Sequence, residues 1–462
     1  MNPSIFREYD IRGLVDKDLT PEVVRDISRA YATYMQRRGF DTAIVARDSR
    51  DYNATIQKQT VVALREAGMN VVDIGVVTVP VFYFAQLFLK ITAGVMVTAS
   101  HNPVGWSGFK QLVGTLQTAT SAELADVKSL IEKKDFLSGA GTYEERGGVV
   151  AAYSKDALSR VTIKRPLRVV VDCGNETGSL INPDILRSAG LTVIEQDTEV
   201  GKPAPHEPNP STLEALEHIR EGVLANHADI GIGYDADGDR FGVVDDQGEI
   251  IWPDRVAMVL VRKILKDNPG SSVVFDVKCT QALIDEIVKD GGTPVMWKTG
   301  HSWIRRKGQE VDAAFAAERS GHFYFRRGHW GYDDGLFVTL KLLEIIAAQE
   351  KPLHEFMADF PQYETSPVWH APCADEVKYA VVERLTKACK EEYGEDKVID
   401  VNGARVQFDD GWGLVRASSN IPALVLVFEG KTPEALERIS KLFEAMLGRY
   451  PEIATRDRWE SG

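Results

Sequence analysis

Ser100 lies in Val95-Met96-Val97-Thr98-Ala99-Ser100-His101-Asn102-Pro103, where an apolar run ends in a polar loop that Pro103 keeps from continuing as strand or helix. A hydroxyl held there, beside an imidazole and a carboxamide, can carry a covalently attached group; a serine with no helpers only caps its own backbone. Asp235, Asp237 and Asp239 alternate in Asp235-Ala236-Asp237-Gly238-Asp239-Arg240. Three carboxylates so close need a cation, and oxygen-only ligands suit Mg²⁺. An EF-hand is excluded, because its loop wants glycine at position 6 and glutamate at position 12, where this chain has Gly238 at 4 and Asp246 at 12. Arg240 adds a fixed cation beside the cluster. Glu318 and Ser320, next to Gly321, read as a grip on sugar hydroxyls. The loop Gly411-Trp412-Gly413-Leu414-Val415-Arg416-Ala417-Ser418-Ser419-Asn420 offers backbone donors and one guanidinium to a phosphate. Nucleophile, metal site, cationic clamps and proton carriers are the parts that phosphoryl transfer requires.

The elements that must position these groups recur three times. Strands at Thr42 to Ala46, Asn70 to Ile74 and Gly94 to Val97 alternate with helices at Ala54 to Ala67 and Val81 to Leu89, and Ser100 follows the third strand. A second round has strands Leu167 to Val171, Thr192 to Glu195 and Asp229 to Tyr234 with helices Gly178 to Ser188 and Thr212 to Leu224, and ends in the aspartates. The third has strands Ser272 to Asp276, Thr293 to Trp297 and Ala313 to Ala316 with helices Gln281 to Lys289 and Ser302 to Lys307, and ends at Glu318. Ligands of open α/β sheets bind beyond the carboxyl ends of strands, so three polar motifs at that place favour function over decoration. After Tyr363 the pattern changes to helix Ala374 to Glu391, strands Lys397 to Val401, Ala404 to Phe408, Gly413 to Val415 and Leu424 to Phe428, and helix Pro433 to Leu447, an α+β arrangement. The expected fold is therefore α/β: three topologically similar mixed α/β/α domains, at residues 1–145, 146–250 and 251–364, plus a C-terminal α+β domain at 365–462.

Composition narrows the partners. With 54 Lys and Arg against 68 Asp and Glu, the net charge of −14 disfavours nucleic acid. No apolar run approaches the roughly 20 residues of a bilayer span, and the charged start of the chain lacks the apolar stretch of a secretory signal. Cys173, Cys279, Cys373 and Cys389 show no paired spacing and read as reduced core thiols of a cytoplasmic protein.

Thr98-Ala99-Ser100-His101-Asn102-Pro103, Asp235-Ala236-Asp237-Gly238-Asp239-Arg240, Glu318-Arg319-Ser320-Gly321-His322 and Arg416-Ala417-Ser418, in that order, resemble the α-D-phosphohexomutase superfamily. Phe6-Arg7-Glu8-Tyr9-Asp10-Ile11-Arg12-Gly13, Lys298-Thr299-Gly300-His301-Ser302 and Gly331-Tyr332-Asp333-Asp334-Gly335 are most similar to its bacterial phosphomannomutase/phosphoglucomutase branch. The resemblance implies a monomer of four domains around a central cleft. It implies reversible transfer of a phosphoryl group between the 1- and 6-positions of mannose or glucose through phospho-Ser100 and a hexose 1,6-bisphosphate. Ser100, Asp235, Asp237 and Asp239 would hold Mg²⁺. Glu318 and Ser320 would grip the 3- and 4-hydroxyls, and Arg416, Ser418, Ser419 and Asn420 the non-reacting phosphate. Tyr9, Arg12, His101, Lys110, Arg240, Lys278, His301 and His322 would line the cleft, His101, Lys110 and Arg12 as cations near Ser100. Arg12 and His322 are the acid/base candidates, the arginine an awkward one given its pKa of about 12 or above.

The chain departs from the family pattern at Trp106-Ser107-Gly108, at Ala236 in place of glycine, at Arg319 in place of methionine, which gives the sugar loop an extra cation, and at Ser419-Asn420-Ile421. Other readings are a phosphoglucosamine mutase, a metal-dependent sugar phosphatase and a non-catalytic sugar-phosphate sensor.

Overall fold

The computed structural model describes residues 1–203 and 205–461. The chain packs as two compact units, Met1–Pro253 with Ser320–His354, and Asp254–Arg319 with Glu355–Gly462.

In the first unit one sheet runs in the order Ile11–Leu14, Trp106–Gly114, Ala93–Val97, Thr42–Arg47, Asn70–Val76, Tyr143–Glu145. The last four strands are parallel and the first two antiparallel to their neighbours. Helix Pro21–Gln36 begins with a local signal, since the Thr20 side chain accepts the Val23 N–H and Pro21 takes a first-turn position whose N–H would bond to nothing. Its apolar face, Val24, Ile27, Tyr31 and Met35, is buried with Val45, Val95 and Val97 of the sheet. The buried Tyr31 hydroxyl donates to Leu112 O (2.5 Å) and accepts the Gly94 N–H (2.8 Å), so the helix is also tied to the two strands that flank the serine loop. Strand Trp106–Gly114 was not foreseen from sequence. Its register sets Gly108 opposite Arg12 and Lys110 opposite Met96. A Cβ at Gly108 would lie 2.0 Å from Ile11 O, so only glycine lets the strands close there.

The second sheet of this unit orders Ile250–Ile251, Phe241–Asp245, Ile230–Tyr234, Arg168–Asp172, Thr192–Gln196. Ile230–Tyr234 and Phe241–Asp245 are antiparallel, with Tyr234 opposite Phe241, so Asp235 to Arg240 form a hairpin loop rather than a strand-to-helix turn. The helix expected from Gly178 to Ser188 is broken: a 3₁₀ turn at Thr177–Leu180 precedes helix Asn182–Ser188, where Pro183 falls in the first turn and cannot continue an earlier ladder. Helix Gly335–Ala347 starts where the Asp334 side chain accepts the Phe337 N–H, and Thr339 Oγ1 accepts the buried Tyr234 hydroxyl at 2.8 Å.

Two buried titratable groups beside that helix start pull stability in opposite directions with pH. Burial, with Arg160 nearby, pushes His329 down to about 3, and burial pushes Asp334 up to about 7. Unfolded His329 binds a proton below its ordinary value of 6.5 while the folded one does not, so its contribution is lost as pH falls from 6.5 towards 3. Asp334 contributes most in acid and loses its share as pH rises through about 7. His329 stacks on Phe337 at 4.0 Å, so phenylalanine can take its place. His329→Phe is expected to gain roughly 2 kcal/mol over the parent between pH 6.5 and about pH 4.5, measured by urea unfolding. A pH-independent difference between the two proteins would contradict this assignment.

In the second unit Ser272–Asp276 pairs in parallel with Thr293–Trp297 and Phe315–Ala317. An antiparallel sheet orders Val398–Ile399, Ala404–Phe408, Gly411–Ala417, Ala423–Gly430, Trp369–Pro372, Glu460–Ser461, with helices Lys378–Tyr393 and Pro433–Leu447. The strand expected from Lys397 to Val401 shortens to Val398–Ile399 because Glu395–Lys397 turns as 3₁₀. Buried Arg405 connects the two sheets of this unit: it donates to Val277 O (2.7 Å) and Cys279 O (2.8 Å) and lies 3.7 Å over the Trp412 ring. All four cysteines are buried free thiols, and no helix among the described residues is long and apolar enough to cross a membrane.

Candidate active site

Ser100 is buried and holds φ at 50°, a left-handed conformation that costs a residue with a Cβ about 1–3 kcal/mol. The surrounding contacts that impose it also aim the hydroxyl. Thr98 Oγ1 accepts the Ser100 N–H (2.9 Å), and Ser100 Oγ donates to Asp235 Oδ2 (2.9 Å) with His101 Nδ1 at 3.2 Å. Burial and the charges of Arg240, Arg12 and Lys110 press His101 well below its ordinary value. The expectation of a cationic His101 is therefore corrected: it is a neutral ring, and with Ser100 donating to Asp235 its Nδ1–H donates to the serine oxygen.

Asp235, Asp237 and Asp239 are fully buried and offer one oxygen each within 4.8 Å of one another. Burial and the other two carboxylates raise Asp235 well above the carboxylate range. Burial would raise Asp237 too, but Lys110 holds it at about 2. Lys110 Nζ donates to Asp237 Oδ2 (2.9 Å) and to Asp239 Oδ2, and Thr98 Oγ1 donates to Asp237 Oδ2 (3.0 Å). Asp237 Oδ1 and Asp239 Oδ1 remain buried without a hydrogen-bond partner among the described residues. Such oxygens are costly unless a cation reaches them, and three acidic side chains with a serine oxygen are a hard-ligand set, so the residues fit Mg²⁺. Ala236 does not stiffen the loop at any cost, because the left-handed position belongs to Gly238 (φ 74°) and the Ala236 carbonyl accepts the Thr177 N–H (3.2 Å).

Cations surround the serine loop. Arg12 Nε donates to Asp10 Oδ2 (2.7 Å), and its Nη1 to Ala99 O (3.2 Å) and to Asn102 Oδ1. Burial alone would lower Arg12, but Asp10 and Tyr9 outweigh it and its pKa is raised. Arg12 thus keeps its proton, which removes it as a base and leaves it as a clamp. Arg240 Nε donates to His322 Nε2 (2.9 Å), so that nitrogen accepts and the His322 proton sits on Nδ1, 2.9 Å from Asp333 Oδ2. Arg240 and His322 also face each other across an isolated β-bridge, and Gly321 takes φ 94° where a Cβ would meet Phe241 O at 2.7 Å. Ser320 immediately precedes that turn. Tyr9 is buried in the first unit, as are Arg12, Ser100, Lys110, the three aspartates, Arg240 and His322, while His101 is half-buried there.

Several residues of this site were missed from sequence. Arg50 donates to Ser100 O (2.8 Å), Asn102 O (2.6 Å) and Trp106 O (3.0 Å), holding the serine loop by its backbone. A signal existed in Arg47-Asp48-Ser49-Arg50, another polar run at a strand end. Asp10 orients Arg12 from two residues away, and Asp333 Oδ2 lies 2.9 Å from His322 Nδ1, neither pairing having been drawn from the sequence. The Trp106-Ser107 departure has a local answer: the buried Ser107 hydroxyl donates to Asn53 Oδ1 (2.5 Å), and Asn53 Nδ2 donates to Asp48 Oδ1 (2.6 Å).

In the second unit, Glu318 Oε1 accepts the Gly300 N–H (2.7 Å) just before His301 opens helix His301–Glu310, and Lys278 Nζ lies 3.3 Å from Asp276 Oδ2. Arg319 does not add a cation to the sugar loop as expected, since its Nη1 donates to Asp254 Oδ2 (3.0 Å) and the side chain is buried. Arg416 Nη2 donates to Ser419 Oγ (3.0 Å), and Ser418 Oγ accepts the Asn420 and Ile421 N–H groups (3.3 Å each). Arg416 Nε and Asn420 Oδ1 are buried with no hydrogen-bond partner among the described residues, groups that a phosphate and its protons or waters can satisfy. The Ser419-Asn420 departure thus keeps a closed loop with its guanidinium in place. His370, on strand Trp369–Pro372, is held below its ordinary value by burial and by the charges of both Lys278 and Arg416. A lone histidine on a strand carried no sequence signal for that position.

Comparison with known proteins agrees along the chain. The phosphoglucomutase/phosphomannomutase family matches as alpha/beta/alpha domain I at residues 3–138, domain II at 151–248, domain III at 252–363 and the C-terminal domain at 371–445. A phosphomannomutase/phosphoglucomutase of Pseudomonas aeruginosa is 39% identical over 445 residues, 96% of this chain and 95% of that protein. A phosphoglucomutase of Neisseria gonorrhoeae is 36% identical over 97% of this chain and 98% of its own. The crystal structure of a phosphoglucomutase/phosphomannomutase family protein from Burkholderia thailandensis superposes with a TM-score of 0.90 at 35% identity, covering 96% of this chain and 97% of that one.

Proposed function

The chain belongs to the phosphoglucomutase/phosphomannomutase family and is a hexose-phosphate mutase, an isomerase, and from that premise we propose that Ser100 carries the phosphoryl group it transfers. The observation that supports this reading most is the strained, buried Ser100, whose hydroxyl is tied to Asp235 at 2.9 Å among three carboxylates and the cationic side chains of Arg12, Lys110 and Arg240. Ser100 and the oxygens of Asp235, Asp237 and Asp239 would hold Mg²⁺, which, when bound, spreads the charge of the transferring group.

Phospho-Ser100 passes its phosphoryl group to the free hydroxyl of a hexose monophosphate: the sugar oxygen forms a bond to phosphorus as the Oγ–P bond breaks. A hexose 1,6-bisphosphate results, and return of its other phosphoryl group to Ser100 completes the isomerisation. Lys110 and Arg12, both held protonated by neighbouring carboxylates, balance the charge of the phosphoserine. His322 takes the proton of the attacking hydroxyl on Nε2, and Asp333 steadies the resulting imidazolium through Nδ1. In the resting enzyme Arg240 occupies that Nε2 lone pair, so attraction of the guanidinium to a substrate phosphate frees the base. The departing serine oxygen keeps the electron pair of the broken bond and gains one proton, in net the one taken from the sugar hydroxyl, after which it again donates to Asp235 and accepts from neutral His101. Glu318 and Ser320 read the sugar hydroxyls. Arg416, Ser418, Ser419 and Asn420 hold the phosphate that is not reacting, with Tyr9, Lys278 and His301 as further contacts.

Assays with mannose 1-phosphate, glucose 1-phosphate and glucosamine 1-phosphate, each with and without Mg²⁺, test this. Conversion of mannose and glucose 1-phosphates to the 6-phosphates, dependent on Mg²⁺, is expected. Release of inorganic phosphate faster than isomerisation would replace the reading with a phosphatase, and preference for the glucosamine substrate would move it to that mutase class.

A further inference from the structure

Two histidines and two aspartates gather in the first unit in a group that shares no residue with those assigned to phosphoryl transfer. Asp172 ends strand Arg168–Asp172, Asp197 follows strand Thr192–Gln196, His206 lies in the connection that comes next, and His218 is on helix Leu213–Asn226. One ligand atom of each lies within 4.8 Å of all the others. His206 Nε2 is 3.2 Å from Asp172 Oδ2, and His218 Nε2 is 2.7 Å from Asp197 Oδ2 and 4.0 Å from Asp172 Oδ2. Bonds of about 2.0–2.2 Å in a tetrahedral zinc site put ligand atoms roughly 3.3–3.6 Å apart, inside the spread of these three distances.

The hydrogen bonding of His206 points the same way. Its Nδ1 lies 2.8 Å from Glu207 O, an acceptor only, so Nδ1 carries a proton, and Nε2 faces a carboxylate oxygen. That 3.2 Å contact needs either a second ring proton or a metal cation between the two atoms. A carbonyl-anchored Nδ1–H is also how metal-ligating histidines are oriented. With neutral rings the cluster carries two negative charges, which one divalent ion cancels. The His218 and Asp197 side chains are 32% and 23% exposed, so an ion can enter from solvent.

We propose that Asp172, Asp197, His206 and His218 form a structural Zn²⁺ site, distinct from the aspartate loop. Mixed imidazole and carboxylate ligands favour zinc over Mg²⁺, which wants oxygen alone. The ion would fasten the connection between strand Thr192–Gln196 and helix Leu213–Asn226, which Asn175 already grips by donating to Pro203 O (3.0 Å) and accepting the Glu199 N–H (2.8 Å).

Chelator-stripped full-length protein dialysed against Zn²⁺ with Mg²⁺ in excess is expected to retain one more zinc per chain than His206→Ala or His218→Ala. Loss of a ligand should weaken zinc by at least about 100-fold, since even outer partners of a ligand are worth 10–100-fold. Co²⁺ substituted for zinc should give the visible absorption bands of a tetrahedral site in the parent alone. His218→Ala, at a partly exposed helix position, guards against a folding failure of the buried His206 variant. Equal zinc content in parent and both variants, with no tetrahedral Co²⁺ bands, would overturn the proposal and assign the cluster to proton-bridged His–Asp ion pairs.

Discussion

Ser100→Ala is expected to lower kcat for interconversion of hexose 1- and 6-phosphates by at least about 10⁴-fold, because no other group can take over the covalent transfer. The fold should survive the change. Ser100 donates one hydrogen bond to Asp235, whose burial and carboxylate neighbours already favour its protonated form, so the alanine variant leaves little uncompensated charge. Alanine also keeps the left-handed φ of 50° no worse strained than serine does. Intact-mass measurement supplies the matching readout: incubation with hexose 1,6-bisphosphate should add one phosphate to the parent and none to the variant. Turnover by the variant at the parental rate would remove Ser100 from the mechanism.

Asp237→Asn is expected to cost about 10³-fold in kcat at moderate Mg²⁺, the order expected when a metal and its charge stabilisation are lost from phosphoryl transfer. Asp237 is held at about 2 by Lys110, and one of its oxygens has no hydrogen-bond partner among the described residues. The amide keeps the shape, loses the charge, and presents that site with an NH₂ or a weak carbonyl ligand. A second readout separates metal binding from catalysis. Mg²⁺ at about 100 times its dissociation constant should stabilise the parent by about 2.7 kcal/mol and the variant hardly at all. Equal Mg²⁺-dependent shifts in thermal unfolding of the two proteins would show that the aspartate loop is not where the ion binds.

The two substitutions test a site whose motifs were legible in the chain and whose working pairs were not. Ser100, the alternating aspartates, Glu318 and Arg416 each end a strand or open a loop, and the apolar periodicity that marks those strands also marks the places where polar residues stop being structural. The N-terminal helix Pro21–Gln36 and strand Trp106–Gly114 escaped that reading, although Thr20 and Pro21 form a clear helix start. Missing that strand also hid why Lys110 reaches the aspartates, since its register opposite Met96 sets it beside the serine strand. The expected helix from Gly178 to Ser188 ran through Pro183, a break that local chemistry should have placed.

Residue types and their spacing by themselves determined the fold class and the three strand-end positions of the motifs, because these depend on short-range periodicity and on chemistry carried within a few neighbouring residues. Only the tertiary structure decided which proton carrier is which. Arg12 keeps its proton because Asp10 and Tyr9 outweigh its burial, His101 loses its charge because it is buried among cations, and His322 is fixed in one tautomer by Arg240 and Asp333. Burial enters the first two outcomes, and groups distant in the chain enter the site as in the Arg240–His322 (82) and Ser100–Asp235 (135) contacts, whereas Asp10 acts on Arg12 from only two residues away. Electrostatic energy depends on distance and desolvation, and neither is written in the local sequence.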